Sequence, residues 1–159
     1  MKTFKKLILA IPMLGLLATS ANITSADDDD PMQKAIKARQ AVMVVRAWNA
    51  GPLFGMAKGE IEYDAERAAT LANNLKAELA MNNGSMWPEG SDSAEYPDDT
   101  RSLPEIWMTY PAIAEAGQAY KDAVNALAAE AGNGLDALRS TIGDLGASCK
   151  GCHDDFRTN

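Results

Sequence analysis

The sequence predicts an all-α protein, an antiparallel four-helix bundle, on three observations. Between residue 31 and the C-terminus, apolar residues recur at helical spacing in four segments. Clusters of Gly, Asn and Pro separate these segments, and no stretch alternates like a strand. With 47% apolar content in 159 residues, the chain suits one domain with a modest core.

Residues 1–26 read as a secretory signal that is removed. Lys2, Lys5 and Lys6 are basic, Leu7 to Ala18 is an apolar run, and the small residues Thr24-Ser25-Ala26 precede the acidic Asp27. The run is shorter than the roughly 20 residues a bilayer requires and contains Pro12, so a transmembrane helix is the weaker reading. The expected location is the periplasm of a Gram-negative bacterium, with no membrane insertion after cleavage. The domain then spans residues 27–159, with 12 basic and 22 acidic residues and a net charge of −10. That balance argues against nucleic acid as a partner.

The first helix opens at Pro31, a residue favoured at a first turn, and runs to about Lys58. Its stripe is Ile36, Gln40, Met43, Ala47, Ala50, Phe54 and Ala57, and a second apolar face carries Ala41, Val42, Val45 and Trp48. A helix apolar on two sides needs cover on both, which predicts a homodimer. Gly51-Pro52 is expected to kink or interrupt it. Asp64 has the form of an N-cap for a second helix with Ala68, Ala72, Leu75 and Leu79 inward, ended by Asn82-Asn83-Gly84. A loop of about twenty residues follows. In it, Met86 and Trp87 either fold over the core or anchor the loop.

Ser102-Leu103-Pro104-Glu105 reads as a capping box opening a third helix, with Ile113, Gly117, Tyr120, Val124, Leu127 and Ala131 on its stripe and Pro111 bending it or delaying its start. After Gly132-Asn133-Gly134, the fourth helix has the cleanest period: Leu138, Ile142, Leu145, Cys149, Cys152 and Phe156.

That last stripe contains Cys149-Lys150-Gly151-Cys152-His153, which holds both cysteines and the only histidine. The run has the spacing of a c-type haem attachment site. Two thiols add to the haem vinyl groups as thioethers, and the adjacent imidazole takes one axial position on the iron. Residues three and four apart share a helix face, so all three side chains point to one side. The alternatives are a disulfide, a thioredoxin-like pair, a partial zinc site and two buried thiols. Zinc lacks further Cys or His ligands here, and a redox pair lacks its βαβ setting. The expected cofactor is therefore one covalent haem c, lying inside the helical packing. No nucleophile or phosphate-binding motif occurs, and no enzymatic activity is expected.

The chain resembles the cytochrome c′ family, the class II cytochromes c, over essentially the whole mature length. The resemblance is carried by the C-terminal Cys149-to-His153 run with Asp154-Asp155-Phe156-Arg157, by Ala38-Arg39-Gln40-Ala41-Val42-Met43, and by Pro104-Glu105-Ile106-Trp107. It implies a four-helix bundle with haem bonded through Cys149 and Cys152 and His153 as the proximal iron ligand. It also implies Arg157 near the proximal haem face and Arg39 near a haem propionate. Ile113 and Tyr120 stand where Phe is common in the family.

The resemblance places Met43 at the distal side of the haem. Leu, Phe or Tyr there accompanies a five-coordinate iron open to NO and CO. Methionine resembles the low-spin cytochrome c-556 type, with the thioether as sixth ligand and a raised potential. The main expectation is accordingly a periplasmic one-electron carrier with His153/Met43 ligation. The alternative is a protein that binds NO or CO for gas sensing or NO protection, five-coordinate or with a displaceable Met43. Met56 and Met86 lie away from that register, and no redox partner is named by the sequence.

Overall fold

The computed structural model describes residues 30–158, so the proposed signal segment lies outside the described residues. Four long helices form a ring: α1 (Pro31–Lys58), α2 (Ala65–Glu78), α4 (Ala112–Glu130) and α5 (Leu135–Phe156), with α3 (Glu105–Met108) a single turn before α4. Contacts run from α1 to α2, α2 to α4, α4 to α5 and α5 back to α1. Short connections make α1 and α2, and α4 and α5, antiparallel pairs, a longer segment joins the two pairs, and the ring of contacts is the expected four-helix bundle. No β-strand occurs among the described residues, and none of their helices is long and apolar enough to cross a membrane.

Asp30 starts α1 by accepting the Met32 N–H at 3.1 Å, with Pro31 in the first turn. Gly59, at φ 79°, ends it in the left-handed conformation that favours glycine. The helix runs unbroken through Pro52, so it is not interrupted there. The bond that Pro52 cannot make would go to Trp48, which lies on the exposed side, where water can satisfy the carbonyl. The expected inward stripe of α1 faces the bundle except at Gln40, which is exposed: Ile36 is buried, Ala50, Phe54 and Ala57 pack against the core, and Met43 and Ala47 line a cavity among the helices. Arg39, Asn49, Leu53, Gly55 and Met56 are buried beside it, so two polar residues also point inward. Asn49 is satisfied there, donating to the Val45 carbonyl and accepting from Asn74 Nδ2, both at 2.9 Å.

In α2, Asp64 caps as expected, accepting from the Arg67 N–H at 2.9 Å, and Ala68, Ala72, Leu75 and Glu78 are buried. The helix stops at Glu78, four residues before the Asn82-Asn83-Gly84 cluster. Gly55 lets Ile61 of the α1–α2 turn pack closely on α1, since a Cβ there would stand 2.7 Å from Ile61 Cδ1 and the isoleucine would have to shift.

The segment between α2 and α3 is built around Arg39. Its guanidinium donates to the Met86 carbonyl at 3.3 Å, to Ser91 Oγ at 2.6 Å, to the Ser91 carbonyl and to Thr100 Oγ1 at 3.2 Å. It also stacks on Trp87, 4.7 Å from the ring centroid. Trp107 Nε1 donates to the Trp87 carbonyl at 3.1 Å, so Trp87 anchors the loop.

The expected third helix is two helices. Pro111 has no N–H, and its ring conflicts with a helical carbonyl four residues back, so α3 ends at Met108 and α4 begins at Ala112. The expected capping box does not form, because Pro104 occupies the cap position. Ser102 instead pairs with Arg157 in an antiparallel bridge, while the Leu103 N–H donates to the Phe156 carbonyl at 2.9 Å. The C-terminus is thereby tied to the loop.

The α5 stripe is as expected, with Leu138, Ile142, Leu145 and Phe156 buried and Cys149 packed at the edge of the core. Leu53, Met56, Leu75, Val124, Leu127, Leu138 and Leu145 form one continuous core.

Candidate haem site

A cavity of about 690 Å³ lies among the four long helices, within the range of cofactor pockets. From α1 it is lined by Met43, Arg46, Ala47, Ala50 and Phe54, and from α2 by Leu75 and Glu78, with Leu79 just after it. From α4 come Gly117 and Tyr120, and from α5 Leu145, Cys149, Cys152 and His153, with Asn83 at one rim. The helical spacing of α5 thus brings both thiols and the imidazole to one wall.

The electrostatics of that wall suit ligation. Both cysteines are without a disulfide and half-buried, and burial pushes both thiols above their ordinary range. Burial holds His153 below the usual imidazole value, reinforced by the cations Arg157 and Arg101. A neutral imidazole is the form that binds iron.

Of the other predicted site residues, Met43 lines the cavity, half-buried, with Sδ 3.9 Å from Arg46 Nη1. Arg157 follows α5 in extended conformation, outside the lining, and acts on His153 through its charge. Arg39 is also outside the lining and spends its donors on the 84–103 loop. The structure does not bring it to the cavity with Met43.

Sequence reasoning missed a polar cluster on the cavity wall. Arg46 binds Glu78 in bidentate fashion, Nε to Oε2 at 3.0 Å and Nη2 to Oε1 at 2.7 Å. The guanidinium lies 4.2 Å from the centre of the Tyr120 ring. Only one signal was legible: Arg46 stands three residues after Met43, on the same helix face.

Tyr120 and Asn83 line the cavity, while their Oη and Oδ1 atoms are buried away from its open space with no hydrogen-bond partner. Each such atom costs about 1–3 kcal/mol. A mostly apolar cavity with a few convergent polar groups and a Cys-x-x-Cys-His wall fits a haem, whose ring is apolar and whose edge is polar.

A four-helix bundle whose last helix sets Cys149, Cys152 and His153 against a central cavity defines a bundle-type c-type cytochrome. The chain belongs to the cytochrome c′ family, whose family model, described as Cytochrome C′, matches residues 34–157. It is 38% identical over 131 residues to cytochrome c′ of Halomonas halodenitrificans, covering 79% of this chain and 96% of that protein. It is 34% identical over 148 residues to a cytochrome c-554 of Cereibacter sphaeroides, covering 92% and 96%. Among solved structures it resembles a ferrous variant of Alcaligenes xylosoxidans cytochrome c′ with bound NO. That match has a TM-score of 0.69 and 31% identity, covering 80% of this chain and 96% of the other. As a member of this family, the chain is a monohaem c-type cytochrome with one covalent haem c.

Proposed function

We propose that the protein is an exported haem protein that binds a small neutral gas, NO or CO, on the Met43 side of its haem, with Met43 a displaceable occupant of that side. Cys149 and Cys152 hold the haem as thioethers, and His153 is the proximal ligand. The haem supplies the iron, and the protein sets its potential and access to its sixth position. The observation that carries this reading is that His153 and Met43 line one cavity from different helices, α5 and α1. The NO bound to a 31% identical structural relative supports the choice of ligand.

Each residue then has a task. Arg157 and the burial of His153 keep the imidazole neutral, while Phe54, Leu75 and Leu145 line the cavity with apolar surface. Arg39 holds the loop against the bundle. The reading is of a gas carrier or sensor rather than an enzyme. It places the protein in the periplasm after removal of residues 1–26, as a dimer through the exposed α1 face.

A second reading, one-electron transfer with Met43 as a permanent sixth ligand, draws on Met43 lining the cavity and on the relative named cytochrome c-554. Titrating the reduced protein with CO separates the two by visible absorption. Saturable binding by the wild type is expected. A wild-type spectrum that does not respond to CO overturns the gas reading in favour of the electron carrier.

A further inference from the structure

We propose that the groove between α4 and α5 is the docking face of a basic electron-transfer protein, which exchanges an electron with the haem through Cys152. The inference rests on the preceding reading that Cys152 holds the haem as a thioether, and it does not depend on the role of Met43. An electron carrier turns over by such exchange, and a gas binder must be kept ferrous to take CO. The groove has a volume of about 760 Å³. Among the described residues, Ala116, Ser148 and Cys152 line both it and the haem cavity, so only small side chains separate the two. The outer floor is low as well. Ala112, Ala119, Ala126, Ala147 and Gly151 are exposed along it, and a Cβ at Gly151 would meet nothing within 4 Å. Electron transfer falls off steeply with distance, and this floor puts no bulky side chain between a partner and Cys152.

The charge around the floor selects the partner. Glu115 and Asp122 on α4 and Asp144 and Asp155 on α5 flank it, all exposed, and no described Lys or Arg lines the groove. Lys150 is paired with Asp154, and Lys121 lines the haem cavity instead. Four carboxylates around one groove make a field of a single sign, which speeds encounter with a positive surface and disfavours a negative one. The alanine floor between them offers apolar contact area, the usual centre of an interface with a polar rim. The occupant that fits is a protein whose redox centre lies under an apolar patch ringed by lysines.

The test mixes the reduced, haem-loaded protein with a ferric, lysine-rich class I cytochrome c in stopped flow. One electron passes, Fe(II) here becoming Fe(III) while the partner's Fe(III) becomes Fe(II), and the visible bands of both follow it. The wild-type second-order rate is expected to fall as salt is added. Asp122→Lys with Asp144→Lys is expected to lower it about tenfold or more at low ionic strength. Glu60→Lys with Glu62→Lys, the same change of charge in the exposed α1–α2 turn, is expected to lower it far less. Ala119→Trp, which adds bulk without charge, is expected to slow transfer at every ionic strength. The zinc-substituted, redox-inert form of the same cytochrome is expected to shift the amide signals of Ala119, Ala147 and Gly151. Equal slowing by the two charge-reversed pairs, or an unchanged rate in Ala119→Trp, overturns the proposal. Amide shifts produced by hexaamminecobalt(III) and not by the zinc cytochrome overturn it in favour of a small-cation site. Failure of the thioether reading shows separately, as haem that acidified acetone extracts from the protein.

Discussion

Replacing Arg39 by methionine keeps the aliphatic stem and deletes the guanidinium that organises residues 84–103. Arg39 is 3% exposed, and its buried charge already costs desolvation, which pulls its pKa below the ordinary value. Four hydrogen bonds compensate. After substitution, Ser91 Oγ still donates to the Pro88 carbonyl at 2.7 Å, and Thr100 Oγ1 keeps Ser102 at 3.2 Å. The carbonyls of Ser91 and Met86 lose this donor, and Ser91 is fully buried, out of reach of water. Orphaning the buried Ser91 carbonyl at about 1–3 kcal/mol and losing the bonds to the part-buried Met86 carbonyl and to Thr100 at about 1 kcal/mol each, less the desolvation no longer incurred, leave a net loss of about 3 kcal/mol. With a urea m-value of about 2 kcal/mol/M for a domain of this size, the unfolding midpoint falls by about 1.5 M. Urea unfolding followed by far-ultraviolet circular dichroism reads this, and hydrogen exchange of the 84–103 amides should accelerate. A loss under about 1 kcal/mol with unchanged loop exchange, together with a displaced haem potential, would refute the loop-anchor account. It would return Arg39 to the propionate role that the family resemblance implies.

Other outcomes follow from single features. Leu127→Ala removes a fully buried side chain from the core, away from the cavity lining. It should cost about 3 kcal/mol in urea unfolding while leaving the visible spectrum unchanged. Burial pushes Tyr120 up to about 12, so in an alkaline absorption titration one phenol should ionise near that pH and disappear in Tyr120→Phe. The sign follows from burial, which favours the neutral phenol and delays its ionisation. Trp48, 78% exposed, stands with Val44 and Val45 on the bare side of α1. Trp48→Glu should convert a dimer to a monomer in sedimentation at micromolar concentration, and a wild type already monomeric there contradicts the dimer.

The parts of the fold legible in the sequence are those set by local chemistry. Asp64 before an alanine-rich helix and Pro31 in a first turn act as N-terminal signals wherever the helix packs. On α5 only one face is apolar, so its period identified the core and carried Cys149 and Cys152 with it. The rest depended on tertiary placement. On α1 the apolar stripe faces the core and the cavity as expected, but Arg39 and Asn49 are buried beside it while Val44, Val45 and Trp48 stay exposed, which polarity alone does not indicate. The loop that gives Arg39 its acceptors lies about fifty residues on, and its carbonyls leave no trace in side-chain pattern. The Arg46–Glu78–Tyr120 cluster joins three helices, and nothing in any one of them announces the other two. Pro52 and Pro111 make the same point. One lies in an unbroken helix and the other separates two, although both lack the same N–H.

The central claim is that Met43 occupies the ligand side of the haem cavity and can be displaced from it. The most direct measurement is the ferric visible absorption spectrum of wild type beside Met43→Leu at neutral pH, followed by CO addition to both after reduction. The account predicts a low-spin wild type, a high-spin variant, and CO binding that is tighter in the variant. Identical spectra and identical CO affinities would contradict it.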